Sequence, residues 1–179
     1  MAVSKINVAI IGASGYTGAD AVRLLAAHPA ARIGALTGNA HAGRELAVIY
    51  PQFADISVPP LVRAEDVDWT CIDAAICGLP HSTAQDVIAQ IPAHVRIIDM
   101  SADFRLRDAN VYSEWYGRTH DAPALLADAV YGLTEHYRAQ IASAGLVACP
   151  GCYPTAALLL LLPLVQAGLI ETDDLIIDA

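Results

Sequence analysis

Ile6-Asn7-Val8-Ala9-Ile10-Ile11-Gly12-Ala13-Ser14-Gly15-Tyr16-Thr17-Gly18 carries an apolar run straight into a glycine-rich turn. The run from Ile6 to Ile11 has the length and composition of a buried strand. Gly12, Gly15 and Gly18 then make G-x-x-G-x-x-G, a variant of the dinucleotide-binding fingerprint. That chemistry needs a tight turn, close approach of backbone to a pyrophosphate, and free N–H groups at a helix start. Ser14 and Thr17 add hydroxyl donors, and Tyr16 opens the helix. The helix is expected to run to about His28 and stop before Pro29, with Ala31–Leu36 as the next strand. Strand, turn, helix, strand is a right-handed βαβ unit of a parallel sheet. The expected fold is therefore α/β, a Rossmann-like doubly wound parallel sheet. A purely structural glycine turn is the other reading of the same residues.

Outward from this unit, residues 37–68 are less regular. They hold Gly38, Gly43, Pro51, Pro59 and Pro60, and read as a long excursion with one short helix. Thr70–Cys77 is the third strand. Ala84, Val87, Ile88 and Ile91 recur at helical spacing with one buried face. Val95–Ile98 is the fourth strand and delivers Ser101-Ala102-Asp103-Phe104-Arg105 to its carboxyl end. Asp108 caps a helix to Tyr116, Ala129–Tyr131 is a short strand, and Thr134 caps a helix to about Ser143. Leu146–Cys149 is the fifth core strand. Pro150-Gly151-Cys152-Tyr153-Pro154-Thr155 then turns into an almost wholly apolar helix, expected to be buried. Leu175–Ala179 reads as the start of a further strand. An apolar strand there needs partners, so more polypeptide is expected to follow or to pair with it; a strand that simply joins the parallel sheet is the alternative.

Composition bounds the function. Hydrophobic residues make up 55% and charged residues 16%, as in a folded chain rather than a disordered one. Ten Lys+Arg against 19 Asp+Glu give a net charge of -9, a poor surface for nucleic acid. Four cysteines in 179 residues do not make a disulfide scaffold. The opening residues lack the long apolar core and cleavage site of an export signal. The longest apolar stretch, residues 156–170, falls short of the roughly 18 residues of a membrane span. A soluble cytoplasmic protein is the expectation, with a small molecule rather than nucleic acid or a membrane as its partner.

Five places carry candidate chemistry. The second strand ends at Thr37-Gly38-Asn39, where an NAD site usually places a carboxylate for the ribose. Here the residues are neutral and Arg44 is near, which favours a 2'-phosphate and hence NADP, unless the loop is unrelated to a cofactor. Gly78-Leu79-Pro80-His81 follows the third strand at the edge where ligands sit, and suits the nicotinamide side. His81 is a candidate ligand contact; capping by Ser82 explains the stretch equally well. Cys152 stands at a helix mouth after a strand, where the helix amino-terminus favours a thiolate; without the glycine turn at residue 12 it would read as an inert core cysteine. Cys149 and Cys152 form Cys-Pro-Gly-Cys, but a redox pair belongs to a different fold and no four metal ligands cluster. Cys71 and Cys77 read as buried in the third strand. Arg105 suits an anionic substrate held by a bidentate fork, or a surface ion pair to Asp103 or Asp108.

Gly12–Gly18, Ser101–Arg105, Tyr131-Gly132-Leu133 and Gly151–Thr155 resemble, in matching order, the N-acetyl-gamma-glutamyl-phosphate reductases of arginine biosynthesis. The resemblance runs from residue 6 to 179, about the first half of such an enzyme. It implies NADPH-dependent reduction of an acyl phosphate to a semialdehyde, with Cys152 as the nucleophile that forms a thioester. It assigns Gly12–Gly18 to the pyrophosphate, Thr37 to the adenosine phosphate, Gly78–His81 to the nicotinamide side and Arg105 to the substrate N-acetylglutamyl phosphate. It implies a cofactor domain over residues 1–150 and, over 151–179, the nucleophile helix and first strand of an α+β substrate domain. Many members carry Asn where this chain has Cys149. The acid/base histidine of the family would lie beyond Ala179, and a homo-oligomer is implied. A dehydrogenase of the aspartate-semialdehyde type and a non-catalytic NADP-binding fragment are the alternatives.

Overall fold

The opening apolar run is strand β1 (Ile6–Ile11), whose last four residues are buried. The computed structural model describes residues 5–178. It continues with α1 (Tyr16–Ala26), β2 (Ala31–Thr37), α2 (Leu46–Ile49), β3 (Leu61–Val62), β4 (Ala74–Cys77) and α3 (Ala84–Ile88). There follow β5 (Arg96–Asp99), α4 (Ala109–Tyr116), α5 (Pro123–Asp128), β6 (Val130–Tyr131), α6 (Thr134–Ser143), β7 (Leu146–Ala148) and α7 (Cys152–Gln166).

All seven strands pair in parallel, in the order β3-β2-β1-β4-β5-β7-β6. The chain winds one way from β1 through β2 to β3, then returns to lay β4 on the other side of β1. The gap between the carboxyl ends of β1 and β4 is thus a topological switch point, where ligands bind in such sheets. Alternation along β1 sends Ile10 to one face and Ala9 and Ile11 to the other. Ile10 packs in a cluster with Val22 of α1, Leu36, Leu46 and Leu61. Ala9 and Ile11 pack with Ala75, Ile88, Ile97, Tyr112 and Leu126. Burying a side chain such as Ile88 or Leu126 contributes about 1.5–3 kcal/mol, so both faces of the sheet are held by helices, as a doubly wound fold requires.

Several expectations need correction. The excursion after β2 contains a strand, β3, and four single 3-10 turns at Asn39–His41, Pro51–Phe53, Ala64–Asp66 and Trp69–Cys71. The last of these replaces the start of the expected third strand. There the Asp68 carboxylate accepts hydrogen bonds from the Thr70 N–H (3.1 Å) and hydroxyl (2.6 Å), so Cys71 is exposed rather than buried. Thr134 is the first residue of α6 and does not cap it; the capping position is Leu133. Helix α5 went unexpected. Helix α7 has no buried residue, whereas its apolar composition pointed to burial. Leu175–Asp178 form no strand, and Ala179 lies outside the described residues. Among the described residues, no helix is long and apolar enough to cross a membrane.

Candidate active site

The glycine turn is built by two constraints. Gly12 has φ +80°, in the left-handed region, and a Cβ there would meet the Gly78 carbonyl oxygen at 2.8 Å. At Gly18 a Cβ would fall 2.2 Å from the Gly12 oxygen and 2.7 Å from Ala13 Cα. The first glycine lets the β1 and β4 turns abut, and the third lets α1 start against the turn. Thr37 locks the arrangement from the end of β2: Gly12 N–H donates to its hydroxyl (3.1 Å) and Ala13 N–H to its carbonyl (2.8 Å). The Tyr50 hydroxyl donates to the Ser14 carbonyl (2.9 Å) from the other side. No side chain caps α1 and no acidic residue occupies its first turn. Its amino-terminal partial positive charge is left for a ligand.

A cleft of about 510 Å³ opens at this point, within the size range of small-molecule sites. Gly12, Ser14, Gly15 and Thr17 line it on one side, Thr37, Gly38 and Asn39 on a second, and Gly78, Leu79, Pro80, Thr83 and Val87 on a third. Tyr16, Gly18, His81 and Arg44 are not among its lining residues. Tyr16 is 87% exposed, Gly18 is consumed in packing, and Arg44 is exposed beside β3. His81 points instead towards a buried carboxylate, with its ring tilted 36° against that of Tyr116 at a centroid distance of 4.5 Å. Thr37 is 2% exposed, so its hydroxyl serves the turn before any ligand. The cleft, an uncapped helix start and the absent side chains at residues 12 and 15 fit a dinucleotide.

The second part of the site lies beyond β5 and β7. Cys152 is the first residue of α7 and is exposed. Gly151 is the capping position, without a side-chain cap or an acidic first turn. Thr155 closes the turn, its N–H and hydroxyl both donating to the Gly151 carbonyl at 3.0 and 2.8 Å. Arg105 braces the turn from the β5 side. Its Nε donates to the Cys149 carbonyl (2.8 Å) and its Nη2 to the Met100 carbonyl (3.3 Å). A Cβ at residue 151 would sit 3.2 Å from Arg105 Nη1, so the guanidinium lies against the backbone just before the cysteine. Among the described residues Arg105 makes no ion pair, and neither Asp103 nor Asp108 claims it.

Cys77 is buried and Cys149 half-buried. Burial pushes the Cys77 thiol up to about 12, with nearby Asp99 adding to the effect. Burial also raises Cys149. Asp99, at the end of β5, is fully buried, and desolvation raises its carboxyl above the usual range while the Ser101 N–H and hydroxyl at 3.0 and 2.7 Å pull against it. Sequence reasoning missed this Asp99–Ser101–Asp103 chain, although alternating Asp and Ser at a strand's end signals local side-chain-to-backbone turns.

Comparison with known proteins places these features in context. Residues 7–144 match the family model described as semialdehyde dehydrogenase, NAD binding domain. An N-acetyl-gamma-glutamyl-phosphate reductase of Rhodospirillum rubrum is 53% identical over 98% of this chain and 51% of its own length. One from Jannaschia sp. is 52% identical over 96% of this chain and 50% of its own length. A probable chloroplastic one from Oryza sativa subsp. japonica is 50% identical over 98% of this chain and 42% of its own length. The chain therefore spans about half the length of the curated relatives it matches. Among solved structures, an aspartate semialdehyde dehydrogenase with NADP from Candida albicans aligns with a TM-score of 0.63. That alignment covers 93% of this chain and 48% of that one at 16% identity, a likeness of fold.

Proposed function

We propose, on the premise that the chain belongs to the semialdehyde dehydrogenase family through its NAD-binding domain, that it supplies the cofactor-binding and nucleophile-bearing half of an NADPH-dependent reductase. The substrate is N-acetyl-gamma-glutamyl phosphate and the products are N-acetylglutamate 5-semialdehyde and phosphate, in arginine biosynthesis, as the names of its relatives suggest. The observation that carries the reading is Cys152, an exposed thiol on the first residue of an uncapped helix, beside a turn braced by a guanidinium.

The Cys152 thiolate attacks the acyl carbon. A C–S bond forms, the bond from that carbon to the phosphate oxygen breaks, and phosphate leaves with the electron pair. The start of α7 stabilises the anionic sulfur before attack and when it is released. Arg105 spends Nε and Nη2 on backbone carbonyls, which leaves Nη1 to orient an anionic group of the substrate. The α1 start with Gly12 and Gly15 holds the pyrophosphate, the Thr37–Asn39 side faces the adenosine end without a carboxylate to repel a 2'-phosphate, and Gly78–Pro80 wall the nicotinamide. Bound there, NADPH would supply a hydride to the acyl carbon of the thioester; the C–S bond then breaks, and the aldehyde leaves as the Cys152 thiolate is regenerated. The acid/base histidine belongs to the half of the relatives' length that this chain does not span. That half also gives the uncovered α7 a surface to pack on, with residues 151–179 as its beginning. A cytoplasmic homo-oligomer completes the reading.

The test is steady-state reduction of N-acetyl-gamma-glutamyl phosphate and of aspartyl phosphate by the full-length protein and its Cys152→Ser variant. NADPH and NADH affinities are measured by fluorescence. Turnover of the N-acetylated substrate, tighter NADPH than NADH, and a loss of roughly a thousandfold or more in C152S with NADPH binding intact are expected. Retained activity in C152S ends the nucleophile assignment. Preference for the aspartyl substrate moves the chain to the aspartate-type enzymes, and cofactor binding without turnover leaves a binding module.

A further inference from the structure

Asp103 lies two residues before Arg105 and has no part in the steps above, yet it is fully buried. One carboxylate oxygen, Oδ1, accepts from the Ser82 N–H (3.0 Å), Gln85 Nε2 (3.2 Å) and the Tyr112 hydroxyl (3.0 Å). His81 Nδ1 comes within 2.8 Å of the same oxygen without the alignment of a hydrogen bond. The other oxygen, Oδ2, is buried with no partner among the described residues. The backbone of Asp103 is tied as well: its N–H donates to the Ser101 hydroxyl (3.1 Å) and its carbonyl accepts from His120 Nε2 (3.0 Å). The direction at His120 is settled by Ala122, whose N–H donates to Nδ1 (3.0 Å), so Nε2 carries the proton. A carboxylate with its donors gathered on one oxygen holds something in place.

What it holds is Ser82. This residue has φ +72°, a left-handed conformation that residues other than glycine rarely adopt. Its N–H is taken by Asp103, and its carbonyl accepts from Arg118 Nη1 (3.4 Å). Ser82 sits between Pro80 and Thr83, both of which line the cleft. The conformation of Ser82 therefore sets where the Gly78–Pro80 wall stands relative to α3.

We infer that Asp103 is a positioning residue for the cofactor: its carboxylate holds Ser82 in a left-handed turn and thereby fixes the wall of the nicotinamide side. The inference rests on the reading of that cleft as the NADPH site. Asp103→Asn keeps the shape but replaces the carboxylate by a neutral amide, whose single uncharged oxygen is a weaker acceptor for the three donors gathered on Oδ1. Adding Ser82→Gly supplies a residue that takes the left-handed turn without help. In the full-length protein, D103N is expected to weaken NADPH binding roughly tenfold, in line with the cost of one strained residue. D103N/S82G is expected to regain most of that affinity, a rescue that a role in general stability would not give. Hydrogen exchange at the Ser82 amide should be faster in D103N whether or not cofactor is present. Parent affinity in D103N, or no rescue by S82G, overturns the positioning role. Unchanged Ser82 exchange overturns the carboxylate tie by itself. A parent protein that does not bind NADPH, with Ser82 exchange still accelerated in D103N, refutes the cofactor reading and with it the role in cofactor positioning. If D103N does not fold, D103N/S82G should; failure of both means that the carboxylate holds the core at large, and the inference falls.

Discussion

At the first strand–turn–helix unit, from β1 to α1, the helix buries Gly18, Ala19, Ala21 and Val22 against its own sheet. At the last, from β7 to α7, a helix far more apolar buries no residue at all. Both units follow one plan: a parallel strand, a glycine at the capping position, no side-chain cap, and no acid in the first turn. They differ in what lies over the helix. Helix α1 has one apolar face and a polar one that meets water, and residues of the same chain complete its core. Helix α7 is apolar on every side, with Tyr153 and Leu160 each 66% exposed, which is the pattern of a helix surrounded by protein. The first turn is closed by residues of the same chain, while the helix that begins at Cys152 is left bare among the described residues.

The sharpest way to break this comparison is at Gly18. An alanine there would drive its Cβ into backbone on two sides, at 2.2 Å from the Gly12 oxygen and 2.7 Å from Ala13 Cα. Gly18→Ala should cost about 3 kcal/mol in urea denaturation and abolish NADPH binding. Gly145→Ala, where a Cβ meets nothing within 4 Å, should stay within about 0.5 kcal/mol. Equal effects at the two glycines would mean that the first unit is not tightly closed.

A smaller effect is expected at the open end. The 179-residue chain alone should self-associate in sedimentation velocity through α7. Leu159→Ser with Leu160→Ser should return it to monomer and cost less than about 1 kcal/mol, because these side chains are already 36% and 66% exposed. A loss of several kcal/mol would show that the helix is packed after all. The mildest measurement is timed alkylation at neutral pH. Cys152 and Cys71, both exposed, should label first, Cys149 later because burial raises its thiol, and Cys77, pushed up to about 12, only on unfolding. Early labelling of Cys77 would contradict the closed core under β1 and β4.

What was legible in the sequence divides along the same line. The opening strand, the glycine turn and α1 were readable because each rests on neighbours within a few residues. The parallel sheet followed from their order. Cys71 was misjudged because an apolar run hid the Asp68-x-Thr70 pattern that starts a turn, a signal present in the residues. Helix α5 was missed although Pro123 at its first turn marks a helix start. The burial of α7 is misread from composition, because composition does not say what neighbours a helix has, and among the described residues none covers it. His81 was drawn to the cleft by its place in the chain; no local pattern reveals that Asp103, 22 residues on, would turn it away. The cluster around that carboxylate joins residues 82, 85, 103, 112 and 120, contacts that only the folded sheet brings together.

The strand order also dictates a schedule. β1 lies inside the sheet but pairs on one side with β4, where Val8 meets Ala74, so a nascent chain holds a half-paired interior strand until 66 further residues have been made. At the far edge the order is reversed: Val130–Tyr131 is synthesised before Leu146–Ala148 yet pairs only through it. The edge strand must wait, unpaired, for the strand that will separate it from β5. Closing long loops between parallel strands is slow because their entropy is lost before any contact repays it. The last such closure in this sheet is the one that carries Cys149–Cys152 into place, after the glycine turn between β1 and α1 has formed.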